Sequence, residues 1–216
     1  MKTSSNPIDW YAGNNARYRV HKAARNDLNI SDRMASGFAN SGTRWLIETV
    51  TDSESALWDG VMAVTHPDAA TRKIWSTSYY RIQKSNQPTN TATADLNTIK
   101  DDLRHALNRI ARFAERRSSG FLESFSKALE ELESSTPSPF GWKGKIIPTA
   151  LEMRLEAKQL LSAGQAAYVF GGMGSWNDQY WPDPEINAEY DAVSGELFAA
   201  VEDGLTAAAN STCAFA

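Results

Sequence analysis

Leu96, Ile99, Leu103, Leu107, Ile110 and Phe113 recur at spacings of three and four residues. Each residue of an α-helix is turned about 100° from the last, so these side chains line one side of a single long helix. A stripe of that kind has to be buried against a partner surface, which makes helix-on-helix packing the first expectation. After the break Ser118-Ser119-Gly120, the same period returns in Phe121, Leu122, Phe125, Leu129 and Leu132, with Glu130, Glu131 and Glu133 on the outer face. Two amphipathic helices joined so closely read as an antiparallel hairpin.

Read with the same period, most of the chain is helical. Residues 14–28 form a basic, weakly amphipathic segment, with Arg17, Arg19, His21, Lys22 and Arg25 around Tyr18, Val20 and Leu28. Ser31-Asp32 reads as an N-cap before a face of Met34, Phe38, Trp45, Leu46 and Thr49. There Gly37 and Gly42 weaken the helix, and Trp45 to Val50 also suits a strand. Asp52-Ser53-Glu54 reads as the cap of a helix carrying Leu57, Trp58, Val61, Met62 and Val64. His66-Pro67-Asp68 ends that helix, and the next carries Ile74, Trp75, Tyr79 and Ile82. A helix from Pro148 runs through Leu151, Leu155, Leu161, Ala166 and Val169, with an interruption at Gly164 and Gly171 as its left-handed C-cap. The last begins near Asp183-Pro184 and carries Ile186, Tyr190, Val193, Leu197, Val201 and Leu205, with Gly195 and Gly204 marking close helix contacts. The expectation is an all-α fold: an irregular bundle of roughly six to eight helices, with a minor β element near residues 44–50. The 216 residues read as a single helical domain, 1–216, with the breaker-rich stretch 134–148 as the place for a subdomain break.

Composition narrows the setting. Apolar residues make up 42% and charged residues 22%, ordinary for a soluble globular protein. One cysteine, Cys213, excludes an internal disulfide framework and fits a reducing compartment. No apolar run approaches ~18 residues and none follows the N-terminus, so a cytoplasmic protein without a membrane span is expected. The net charge of −4 is unevenly spread: residues 1–117 hold 17 Lys/Arg against 12 Asp/Glu, and residues 118–216 hold 5 against 14. Either the two parts complement each other or each faces a charged partner.

The densest concentration of unusual residues is Gly171-Gly172-Met173-Gly174-Ser175-Trp176-Asn177-Asp178-Gln179-Tyr180-Trp181-Pro182-Asp183-Pro184. It fails each motif that glycines suggest. A phosphate loop needs a lysine and a hydroxyl residue after its second glycine, where Ser175-Trp176 stands. A dinucleotide fingerprint needs a third glycine that is missing here, and a nucleophile elbow needs glycines two residues either side of the serine. Two readings remain. The loop is a tight reversal with its tryptophans on the core, or a binding site formed by Gly171, Gly172, Gly174, Ser175, Trp176, Asn177, Asp178, Tyr180 and Trp181, flanked by Glu185 and Glu189.

Other chemistry is thin. His21, His66 and His105 lie in different segments, and Asp102 with His105 is the one carboxylate–imidazole pair at helical spacing, where a di-iron bundle needs two such pairs and two further carboxylates. No metal, cofactor or catalytic residue is assigned. The basic residues Arg104, Arg109, Arg112 and Arg116 lie opposite the apolar stripe of their helix. An overall pI near 5.4 argues against nucleic acid as a partner. The function expected from these residues is a small soluble binding protein without catalysis, in one version an immunity- or antitoxin-like neutraliser of a basic protein partner. The alternatives are an enzyme or small-ligand binder built on the loop 171–178, and a nucleic-acid binder using the basic first half.

Overall fold

The computed structural model describes residues 17–23, 30–38, 42–65, 67–68, 74–87, 94–139 and 153–212. These fall into two compact units, one containing the described residues up to Gln87 and the other those from Ala94 to Thr212.

The first unit overturns the all-α expectation. It is a four-stranded antiparallel sheet in the order β1-β2-β3-β4, formed by β1 (Arg17–Ala23), β2 (Arg44–Val50), β3 (Ser55–Val64) and β4 (Trp75–Ser85). One short helix, α1 (Asp32–Ala35), precedes β2, with the Ser31 side chain accepting from the Met34 amide at 3.3 Å as the sequence suggests. The expected helix does not continue. Gly42 takes a left-handed φ of +76°, and a Cβ there would lie 2.8 Å from the Ser36 Cα, so the chain reverses through a position closed to other residues.

The misreading has a physical cause. A strand with apolar residues on both faces mimics a helical period. In β3, Leu57 and Val61 share one face while Trp58, Met62 and Val64 share the other, yet together they reproduce the i, i+4, i+7 pattern of a helix. Trp75, Tyr79 and Ile82 do the same in β4, and the Ser/Thr/Tyr-rich run between them favours a strand. The residues 52–54, read as a cap, close a tight turn. Thr51 Oγ1 accepts from the Ser53 and Glu54 amides, and the Thr51 amide donates to the Glu54 carbonyl at 2.9 Å. Small polar residues satisfy loose amides equally at turns and at helix starts. The strand foreseen at 44–50 is β2.

β2 pairs with β3 from Leu46↔Asp59 to Val50↔Ser55. Beyond this, β3 and β4 run on as a two-stranded ribbon from Gly60↔Tyr79 to Val64↔Trp75. A register shift at Leu57/Trp58 leaves Ile82 as an extra residue in β4.

The second unit is helical, with α2 (Leu96–Arg116), α3 (Leu122–Glu133), α4 (Leu155–Ala167) and α5 (Pro184–Asn210). The stripe of α2 is buried as its spacing requires: Leu103, Leu107, Ile110 and Phe113 are inaccessible to solvent. They meet Phe125 and Leu132 of α3, Leu160 of α4, and Leu197 and Val201 of α5 in one apolar core. Each such side chain contributes roughly 1.5–3 kcal/mol on burial. Asp183 caps α5 by accepting from the Glu185 and Ile186 amides, with Pro184 in the first turn. α4 passes through Gly164 without interruption and ends at Ala167, with Tyr168 rather than Gly171 as its C-cap residue. The helices on either side of residues 134–148 belong to this same unit. Arg25, Leu28, His66, Phe140, Trp142, Pro148, Leu151 and Cys213 lie outside the described residues.

Candidate functional site

The loop 171–184 is organised around Trp176, whose ring is wholly inaccessible to solvent. Its edge-on neighbours are Phe121 and Phe125, with ring centroids at 5.5 and 5.1 Å, and Tyr190 lies at 5.5 Å. The indole N–H donates to the Ser194 hydroxyl at 2.7 Å, and the Tyr190 hydroxyl donates to the Trp176 carbonyl at 2.6 Å. Trp181 joins the same cluster, 5.1 Å from Phe113 and 5.2 Å from Tyr190.

The polar residues of the loop are used within it. The Ser175 hydroxyl donates to the Gly171 carbonyl at 3.0 Å and accepts from the Asn177 amide at 3.2 Å, capping a single turn over Trp176–Asp178. The Asp178 carboxylate accepts from the Gly174 amide. Gly174, with φ of +81°, is the left-handed residue of the reversal, the role expected of Gly171. Asn177 is buried. Gly172, Met173, Tyr180 and Glu185 face solvent, Tyr180 at 73% exposure.

The charges of the helical unit meet one another. Arg116 pairs with Glu189, Arg109 with Glu196, and Arg104 with Asp101 and with Glu133. Two arginines of the basic stripe of α2 are therefore neutralised by two glutamates of α5, and a third by acids of α2 and α3. Exposed pairs of this kind contribute about 0–1 kcal/mol each. Glu131, placed by its sequence on an outer face, is buried. It accepts from the Ser138 amide at 2.7 Å, the Ser138 hydroxyl at 2.6 Å and the Ser162 hydroxyl at 2.8 Å, and Lys127 lies 3.1 Å away.

The sheet carries a surface that helical periodicity conceals. Strand pairing places Tyr18, Val20 and Lys22 of β1 on one face with Trp45, Ile47 and Thr49 of β2. The same face continues through Ala56, Trp58, Gly60, Met62 and Val64 of β3 to Trp75, Thr77, Tyr79, Arg81 and Lys84 of β4. Contacts confirm the sidedness. The Trp58 indole N–H donates to Thr49 Oγ1 at 3.0 Å, and the Arg81 guanidinium lies 5.8 Å from the centre of the Trp58 ring. A Cβ on Gly60 would come within 3.0 Å of the Tyr79 ring, so the absent side chain lets Tyr79 lie close to the sheet.

No carboxylate occupies this face among the described strand residues. The strand acids lie on the opposite one, where Glu48 is buried 3.3 Å from Arg19 and 2.7 Å from His21, and Asp59 binds Arg44 at 2.6 Å. The hydrogen bonds that Arg44 donates to Asp59 hold its pKa above the ordinary value. On the carboxylate-free face, Trp45, Met62, Val64 and Trp75 are all more than one-third exposed, Trp75 at 50%. On the opposite face of the ribbon, Val61 and Tyr80 are exposed as well.

Among the described residues, no group of three or more His, Cys, Asp or Glu side chains is placed to hold a metal ion. Nor is any described helix long and apolar enough to cross a membrane. No protein family, no curated protein and no solved structure matches the chain.

Proposed function

We propose that this is a binding protein that meets a macromolecular partner with the aromatic face of its sheet. The observation that carries the reading is the exposure of Trp45, Met62, Val64 and Trp75 together on one face. Clustered exposed apolar side chains mark interaction surfaces, and tryptophan, tyrosine and arginine supply most of the binding energy where such surfaces are used. Trp58, Tyr79 and Arg81 lie on the same face.

The loop 171–184 supports a partner less well, because Trp176, Trp181, Ser175 and Asp178 are engaged within the helical unit. The neutraliser of a basic protein likewise has less to work with. Glu189 and Glu196 are already paired with Arg116 and Arg109, and Glu185 stays in solvent.

The test is native mass spectrometry of the purified protein beside a Val64→Ser/Trp75→Ala variant. The expected result is loss of the co-purifying partner from the variant with its thermal unfolding unchanged. Retention of the same partner by the variant overturns the assignment.

A further inference from the structure

We infer that the partner of this face is a single-stranded nucleic acid; the inference rests on the sheet face proposed above as the contact surface. Three features of that face, taken together, specify the chemistry.

The first is the pairing of rings with cations. Lys22 stands opposite Trp45, and Arg81 stands opposite Trp58. A flat aromatic ring stacks on any unpaired base, while a neighbouring cation meets the phosphate that follows. Trp75, half-exposed at the end of the ribbon, extends the row of rings.

The second is the sorting of charge between the faces. Glu48 and Asp59 occupy the side that also holds Arg19, His21 and Arg44, and there they are paired. Lys22, Arg81 and Lys84 share the aromatic face with no carboxylate among the described strand residues, and Lys84 reaches an acid in the adjoining turn, Glu54 at 2.6 Å. Carboxylates on a stacking face would repel a phosphate backbone. A surface for neutral sugars would instead need carboxylate or amide acceptors beside its rings, and the strand residues of this face supply none.

The third is the distribution of charge along the chain. Residues 1–92 hold 11 Lys/Arg against 8 Asp/Glu, whereas residues 93–216 hold 11 against 18. The acidity that sets the low pI belongs to the helical unit. Exposed charges act over a Debye length of about 8–10 Å, so the cations beside the rings act directly on a strand bound there.

The exposed rings favour a single strand over a duplex, because stacking needs bases freed from their own neighbours. The test uses the full chain with fluorescein-labelled oligo-uridine and oligo-thymidine of roughly 16 nucleotides, a duplex of equal length and polyglutamate as an unrelated polyanion. Binding is read by anisotropy and by quenching of tryptophan fluorescence. The single strands are expected to bind and quench, with affinity falling roughly tenfold from 50 to 200 mM salt, as two to three phosphate contacts require. Trp75→Ala and, separately, Arg81→Glu are each expected to weaken binding about tenfold without changing the melting temperature. Absence of single-strand binding at low salt overturns the inference, as does binding that ignores both substitutions. Equal binding of the duplex or polyglutamate also overturns it, in favour of a general anion-attracting or acidic-protein surface. Loss of a co-purifying protein on Val64→Ser/Trp75→Ala, with no oligonucleotide bound, would keep the surface and reject the nucleic acid.

Discussion

The Trp176 indole N–H donates to the Ser194 hydroxyl at 2.7 Å, with both side chains sealed from solvent. This bond ties the loop before α5 to the middle of that helix, and the indole is otherwise surrounded by the rings of Phe121, Phe125 and Tyr190. Ser194→Ala is therefore expected to strand a buried donor and to destabilise the helical unit by about 1–3 kcal/mol. Trp176→Ala, which also empties the centre of the core, should cost about 3–5 kcal/mol. Urea unfolding followed by far-ultraviolet circular dichroism measures both. Equal stabilities for Ser194→Ala and the parent chain would show the bond to be energetically idle.

Glu131 predicts a pH dependence. Burial, the largest single influence, pushes its pKa up, but hydrogen bonds from Ser138, through both side chain and backbone, and from Ser162 and Lys127 together outweigh it and bring the pKa down to about 2. The folded pKa lies below the ordinary value of 4.5. The carboxylate thus contributes stability that is fully present above pH 4.5 and is lost as the pH falls toward 2. The size is on the order of 3 kcal/mol, from 1.36 kcal/mol per pKa unit. Glu131→Gln should lower stability at pH 7 by a similar amount and flatten the acid limb of the stability–pH curve. An unchanged acid limb in the glutamine variant would reject this account.

The helical unit was legible from the sequence because α2, α3 and α5 each have one buried side. Leu103, Leu107, Ile110 and Phe113 announce α2 by spacing alone, and Asp183-Pro184 announces the start of α5 by chemistry alone. The sheet was not legible. Ribbon strands exposed on both faces carry apolar residues on both, which removes the two-residue alternation and leaves spacings such as Trp58, Met62 or Trp75, Tyr79 that a helix shares. The one strand foreseen, β2, is rich in β-branched and aromatic residues and follows a glycine that breaks the helix. The candidate surface was hidden for the same reason: Trp58, Trp75 and Tyr79 join one face only once the strands are paired. The alternation Trp75, Thr77, Tyr79, Arg81 was the available signal. Trp176 was visible as exceptional, but its burial depended on the distant rings of Phe121 and Phe125.

The helical glycines separate propensity from packing. A Cβ on Gly195 would meet nothing within 4 Å, so Gly195→Ala should stabilise the unit by about 0.8–1.0 kcal/mol through helix propensity. A Cβ on Gly164 would lie 3.0 Å from Leu205 Cδ2, and one on Gly204 would lie 3.3 Å from Leu160 Cδ2. At these two positions the contact between α4 and α5 has to give before the propensity is gained. Gly164→Ala is expected to fall at least about 0.5 kcal/mol short of Gly195→Ala in urea unfolding. Equal gains at all three positions would mean that the helix contact is loose.

Met173 and Tyr180 distinguish the loop from the sheet as the place of binding. Both are exposed, and neither takes part in the cluster around Trp176. Met173→Ser/Tyr180→Ser should therefore leave stability within about 0.5 kcal/mol of the parent, as surface changes usually do. On the sheet-face reading it should leave binding unchanged as well. Val64→Ser/Trp75→Ala should match it in stability and differ in binding. The two double variants form a cross-test that does not depend on unfolding, because each removes exposed side chains from a different unit. If the Met173/Tyr180 variant loses its partner while the Val64/Trp75 variant keeps it, binding belongs to the reversal between α4 and α5. The acidic side chain of Glu185, exposed at the start of α5, would then be the next to change.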